Sequence, residues 1–312
     1  MEKCWNTTGN VFYILAFSTT ETENCILFTA VLWMYLTTVV GNMTIALLVC
    51  LAPRLHTPMY FFLGNLAIAD VLHVSVTLPK LLSILLTHDH RMSFSACMTQ
   101  VYFFALSGAF DIFVLTSMSY DRYVAICKPL QYSLLMSKNV CLSLAMSTCL
   151  ISVIDAVINV LVTSVLSFCS TENVDHFFCD QKILYSISSN DPSSRNILLV
   201  SQIILLATLP FLFIITSYVF IISAILNIQS SKGRRKAFSS CSSHLTTVIL
   251  FFGPIIILYT KPKSKHSREL DKLLSLLYTA VVPTLNPFVY TLRNKDISKA
   301  IRTLTRKLLC FS

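Results

Sequence analysis

Asp70, Asp111 and Asp155 each stand near the middle of a long apolar run, and no Lys or Arg lies at the same depth to neutralise them. A charged, unpaired carboxylate in such a setting costs several kcal/mol. Protonation, hydrogen bonding inside a helix bundle, or a shared cation would each answer that cost. Two carboxylates at one depth make sodium a candidate ion for Asp70 with Asp111, and Asn42, His73 and Asn286 are the polar groups that would complete such an interior. A protonated, hydrogen-bonded pair without an ion is the other reading. Asp155 either lines a ligand cavity or bonds a neighbouring helix. Catalysis finds no constellation: His73 and His244 stand near Asp70 and Ser243 in sequence, yet they fall in different runs at different depths. The eleven cysteines lack zinc-type C-x-x-C spacing, and Cys50, Cys141 and Cys149 lie in apolar runs where a thiol acts as a small hydrophobe.

The elements that must position these groups follow from composition. Of 312 residues, 54% are hydrophobic and 12% charged, against roughly a quarter charged in soluble domains. This excludes a soluble globular fold and a disordered chain, while six glycines and ten prolines exclude a collagen-like one. A membrane span needs about 20 apolar residues. Uncharged or nearly uncharged runs occupy 26–50, 59–78, 98–126, 140–168, 197–228, 237–259 and 273–292. No ten-residue alternation of barrel type appears, so the sequence predicts an all-α membrane protein with seven spanning helices. The expected divisions are an extracellular tail (1–25), the seven-helix bundle (26–292) and a cytoplasmic segment (293–312). In that last segment Ile297, Ile301, Leu304 and Leu308 share one helical face, with Lys295, Lys299, Arg302 and Arg306 opposite, the pattern of an amphipathic helix lying on the inner leaflet. Cys310 is either palmitoylated or a free thiol.

The net charge of +9 does not form one basic patch, which argues against nucleic acid as a partner. With the N-terminus outside, fourteen Lys/Arg fall on the inner side and ten on the outer, while ten acids fall outside and only Asp121 and Asp296 inside. The basic excess follows the positive-inside bias. Residues 1–25 hold no stretch fit for a cleaved signal, so the first span is expected to act as signal anchor. The sequon at Asn6 suits an external tail, whereas that at Asn42 falls inside a span.

Along the third run, Phe104, Gly108, Asp111, Leu115, Met118 and Arg122 repeat at three- or four-residue spacing and share one stripe. Asp111 and Arg122 are too polar for lipid, so the stripe faces the bundle. Gly108 then either leaves room for a ligand or allows close helix packing. Asp121-Arg122-Tyr123 places opposite charges at the cytosolic boundary, which suits a switch.

Four segments, in order, carry a resemblance over nearly the whole chain: Leu55-His-Thr-Pro-Met-Tyr-Phe-Phe-Leu63, Met118-Ser-Tyr-Asp-Arg-Tyr-Val-Ala-Ile-Cys127, Lys236-Ala-Phe-Ser-Ser-Cys-Ser-Ser-His-Leu245 and Pro283-Thr-Leu-Asn-Pro-Phe-Val-Tyr290. The chain resembles the rhodopsin-like G-protein-coupled receptors and, more narrowly, the olfactory receptors. That resemblance implies switch and core-polar roles for Asn42, Asp70, Asp121, Arg122, Tyr123, Asn286, Pro287 and Tyr290, and likens Tyr218 to the tyrosine that meets Arg122 in the active state. It implies a disulfide between Cys97 and Cys179. Where a partner of Cys169 is usual, the sequence reads Ser188-Ser189; the fourth span lacks the common tryptophan; and Asp111 replaces the more usual glutamate.

The resemblance also implies a ligand cavity lined by Phe104, Ala105, Gly108, Gln202, Ile203, Leu206, Phe252, Ile255, Ile256, Tyr259 and Thr279. No acid stands near Phe104 to bind an amine, and no lysine lies between Leu273 and Leu292 for a Schiff base. Mostly apolar walls suit a small neutral organic molecule. The expected function is that of a non-enzymatic odorant receptor without a cofactor, apart from the candidate sodium. It would act through a stimulatory heterotrimeric G protein that raises cyclic AMP, in the plasma membrane of olfactory neuron cilia. A chemoreceptor of the same fold outside olfaction is the main alternative; an ion-coupled transporter using the three aspartates is a weaker one.

Overall fold

The computed structural model describes residues 11–17, 20–168, 173–188, 197, 200–260, 267–293 and 297–302. Among the described residues seven helices are long and apolar enough to cross a membrane: Glu21–Leu51, Pro58–Thr87, Phe94–Cys127, Lys138–Ser164, Val200–Leu226, Ser231–Ile257 and Glu269–Thr291, the first to seventh spans below. Several begin or end beyond the apolar runs because local chemistry, not hydrophobicity, sets helix ends. The first starts at a capping box, in which Thr20 Oγ1 accepts from Glu23 N while Thr20 N donates to Glu23 Oε2 at 2.8 Å. Pro58 opens the second, which runs past Pro79 and Lys80 and stops where His88 adopts a left-handed conformation, φ 56°. Ser93 caps the third by accepting from Ala96 N.

Two clusters fill the bundle. One, in the half that carries Arg122, labelled inner after the expected orientation, gathers Leu48, Leu63, Leu66, Leu115, Met118, Tyr218, Val248 and Tyr290. The other, in the opposite half, labelled outer, gathers Val31, Val74, Leu78, Val101, Phe168, Phe177 and Phe178. Large apolar side chains such as Trp33, Val40, Leu161 and Phe220 are exposed along the spans, as a lipid-facing surface requires. The first and seventh spans meet at Gly41, where an added Cβ would lie 2.9 Å from Pro287 Cγ.

The outer end is closed by a small sheet. Strand β1 (Val11–Ile14) pairs antiparallel with β2 (Arg91–Ser93) and parallel with β3 (Asn173–Val174). Phe12 sets its ring edge against Phe168 at 5.2 Å, and Phe17 stacks on Phe177 at 5.7 Å. Residues 11–17, which the sequence groups with a tail, are therefore part of the folded body, tied down by partners that lie about 80 and 160 residues further along the chain. Asn6, Cys169 and Cys310 lie outside the described residues. Of the expected terminal helix, residues 297–302 are helical, with Ile297 buried and Lys299 and Arg302 exposed.

Candidate functional site

In the outer half, Phe104 of the third span is the centre of an aromatic group. Its ring centroid lies 5.1 Å from His73, 4.8 Å from Phe178 and 6.5 Å from Tyr278. Phe178 reaches it because the second outer loop is fixed over the bundle. The Cys97–Cys179 disulfide ties that loop to the third span, as the resemblance implied. Beside it, Cys179 N donates to Gln100 Oε1 at 2.8 Å while Gln100 Nε2 donates to Val76 O at 2.7 Å. Lys272, buried near the top of the seventh span, pairs with Asp175 at 2.7 Å and Glu269 at 3.0 Å and holds the same loop from the other side.

One turn below Phe104, a Cβ placed on Gly108 would meet nothing within 4 Å, and the same holds for Gly253 of the sixth span. The alternative of close helix packing at Gly108 therefore fails: its missing side chain leaves open space. Phe252 is buried and packs on Phe211 at 4.9 Å. Ala105, Ile203, Leu206 and Ile255 are half-buried, while Ile256 is 42% exposed and sits at the rim of its helix face. The side chain of Tyr259 lies outside the described residues. Ile203–Thr208 and Leu277–Val281 are wound as π-helix, a local widening often found at functional sites.

Two polar groups expected to line this region already have partners. Gln202 Nε2 donates to Asp155 Oδ1 at 3.1 Å, so Asp155 bonds a neighbouring span. Thr279 donates to Ser275 O at 2.7 Å within its own helix. His73, which the sequence groups with the deeper polar core, links that core to Phe104, on which its ring packs. Ser107 spends its hydroxyl proton on Phe104 O at 3.1 Å, so its oxygen accepts from His73 Nδ1 at 3.0 Å. Asp111 Oδ2 lies 3.9 Å from the same nitrogen. Both contacts keep the proton on Nδ1, leaving Nε2 as an acceptor.

Deeper, Asn286 Nδ2 donates to Asp70 Oδ2 at 2.8 Å, and Asn42 Nδ2 donates to Pro283 O at 3.1 Å, joining the first, second and seventh spans. Asp70, Asp111 and Asn286 are all buried, and Asp111 Oδ1 and Asn286 Oδ1 have no hydrogen-bond partner among the described residues. Oxygen donors of this kind fit a hard cation. Among the described residues no three His, Cys, Asp or Glu side chains converge on one point.

At the inner end Arg122 Nε donates to Asp121 Oδ2 at 2.9 Å, and Arg122 Nη2 pairs with the same oxygen. Tyr132, from a short helix (Tyr132–Leu135), donates to Asp121 Oδ1 at 2.7 Å. Burial and the neighbouring Asp121 carboxylate push the Tyr132 phenol well above its usual range, so it stays a donor. Tyr123 packs edge-on against Phe220 at 6.1 Å. Pro287 and Tyr290 are buried against the core. Tyr218 here meets His244 instead of Arg122. His244 Nε2 donates to Leu115 O at 3.1 Å, which leaves Nδ1 to accept from the Tyr218 hydroxyl at 2.7 Å. Fully buried His244 thus joins the third, fifth and sixth spans. Neither it nor Tyr132 was among the expected switch residues. His244 stands in the Lys236 to Leu245 motif, which marked the segment but not the contact.

A family model described as olfactory receptor matches residues 31–308. Olfactory receptor 1J21 of Mus musculus is 43% identical over 309 residues, 99% of each chain. Olfactory receptor 1G1 of Gorilla gorilla gorilla is 43% identical over 293 residues, 94% of each chain, and Olfactory receptor 10AG1 of Homo sapiens is 42% identical over 298 residues, 96% of this chain and 99% of the relative.

Proposed function

This chain belongs to the olfactory receptor family, and on that premise we propose that it is an odorant receptor, binding small, largely apolar molecules in its outer half. The observation that carries this reading is the open space at Gly108 beside the Phe104, His73, Phe178 and Tyr278 group. Phe104, Ala105, Gly108, Ile203, Leu206, Phe252 and Ile255 supply apolar wall, Gln202, Thr279 and Ile256 lie around it, and Tyr259 is expected to contribute by its place in the sixth span. With Gln202 and Thr279 already bonded, and no free cation or anion among these residues, the site selects a neutral molecule.

Binding drives signalling only through differential affinity: the odorant must bind the active arrangement more tightly than the resting one. The response is opening of the inner third, fifth and sixth spans around Arg122 and Tyr218. Asp121, Tyr123, Asn286, Pro287 and Tyr290 hold the alternative packings. The opened face admits a stimulatory heterotrimeric G protein, which raises cyclic AMP. Sodium at Asp70 and Asp111, with Asn286 as a third oxygen donor, would favour the resting arrangement by compensating buried charge. In this reading the N-terminus lies outside, with Asn6 as the glycan site, the bundle runs over 26–292 and the segment from 293 lies on the inner leaflet; the cell surface of olfactory cilia is the expected location.

The test is a cyclic AMP reporter in cells displaying the chain at the surface, screened against a broad panel of volatile and water-soluble compounds. A dose-dependent response that Arg122→Ala abolishes at equal surface level supports the reading. A full response in Arg122→Ala would refute it.

A further inference from the structure

Apart from the odorant region, a cleft of about 210 Å³ lies between the fifth and sixth spans in the inner half. Its fifth-span wall is Tyr218, Ile221, Ile222 and Ile225; its sixth-span wall is Phe238, Cys241, Ser242, Leu245, Thr246 and Ile249. Phe238, Ile249 and Ile222 are exposed, so the cleft opens sideways onto the membrane-facing surface. From Phe238 to Ile249 it follows eleven helical steps, about 16 Å, which matches one leaflet of a hydrocarbon core about 30 Å thick.

The sixth-span wall repeats at three- and four-residue spacing, and extending that stripe by one turn from Phe238 toward the start of the span reaches Arg234 and Arg235. Both are exposed. Lys232 and Lys236 flank them but fall off the stripe. An apolar cleft one leaflet deep, with two guanidiniums in line at its mouth, has the form of a lipid and not of a soluble ligand: the planar forks pair with phosphate oxygens and the cleft takes a chain. We propose that this cleft binds one anionic phospholipid, its headgroup on Arg234 and Arg235 and one acyl chain along the Tyr218 to Ile249 walls. The chain would lie against Tyr218, which joins the two spans through His244 and through Cys241 O at 3.3 Å. The site lies apart from the odorant region, and its occupancy can be measured without any signalling readout.

The test uses the purified full chain in phosphatidylcholine nanodiscs doped with phosphatidylserine or phosphatidylcholine carrying a photoactivatable group in the acyl chain. Crosslinked residues are mapped by mass spectrometry. The phosphatidylserine adducts are expected within residues 218–225 and 238–249, exceeding phosphatidylcholine adducts on the order of tenfold, since each basic side chain near an anionic surface is worth about fivefold. Arg234→Gln with Arg235→Gln should bring labelling down to the phosphatidylcholine level, whereas Lys232→Gln with Lys236→Gln should keep most of it. Thr246→Phe, which fills the cleft, should remove the adducts there. Equal labelling by the two lipids, adducts elsewhere in the wild-type chain, or equal losses in the two charge variants would overturn the proposal. The wild-type map decides it even if a variant misfolds.

Discussion

His244→Phe tests the inner switch without any odorant. The phenyl ring keeps the shape and the stacking on Tyr218, whose ring centroid lies 5.8 Å away, but it loses two buried hydrogen bonds, at 3.1 Å to Leu115 O and 2.7 Å from Tyr218. A buried neutral hydrogen bond is worth about 1 kcal/mol net. In the variant the Tyr218 hydroxyl proton turns to Cys241 O, 3.3 Å away, which spares most of the penalty for an orphaned hydroxyl, so the loss is about 2 kcal/mol. The bridge spans the helices that must separate on activation, so that loss falls on the resting arrangement and shifts the equilibrium about thirtyfold toward the active one. The assay is ligand-free cyclic AMP normalised to surface receptor, with His244→Gln, which keeps a donor and an acceptor, as the comparison. Basal signal should rise on the order of tenfold in the Phe variant and much less in the Gln variant. Unchanged or lower basal signal in the Phe variant at normal surface level would refute the assignment of this bridge to the resting state.

Three further outcomes are expected. Gly108→Val should leave thermal stability and surface level near wild type, because its Cβ meets nothing within 4 Å, yet cut the odorant response at least tenfold by filling that space; a normal dose–response curve would place the ligand elsewhere. Cys97→Ser breaks a crosslink between residues 82 apart, worth about 4.5 kcal/mol by chain entropy, and should sharply reduce surface receptor in flow cytometry. His176 lies outside the spans, and burial holds its imidazole below the usual range, assisted by Lys272 and opposed by Asp180, Asp271 and Asp175. An opened loop takes up a proton near pH 6.5 and the closed one does not, so closure is most stable above that pH and weakens as pH falls below it. Amide exchange in residues 11–17, corrected for intrinsic rate, should quicken between pH 7.5 and 5.5, and His176→Phe should flatten that dependence.

The seven spans were legible because lipid leaves the backbone few choices: an uncharged run of sufficient length must form a helix, whatever its neighbours. The stripe carrying Phe104, Gly108, Asp111 and Arg122 was legible for the same reason, since helical period alone fixes which residues share a face. Partners across the bundle were not. That Gln202, expected at the ligand cavity, gives its amide to Asp155, 47 residues earlier, depends on two spans meeting. His73 lies beside Asp111, as its place in the polar interior implies, but that its ring also packs on Phe104 had no sequence signal. His244 carried no signal beyond its motif, because its role depends on Leu115 and Tyr218 reaching it at separations of 129 and 26 residues. The strand at 11–14 has too few residues to announce itself and exists only because two distant loops supply its hydrogen bonds. Sequence determined the elements, their order along the chain and the groups that cannot face lipid; which of those groups bond one another, and which remain for a ligand, was decided by side chains meeting over long separations in the folded bundle.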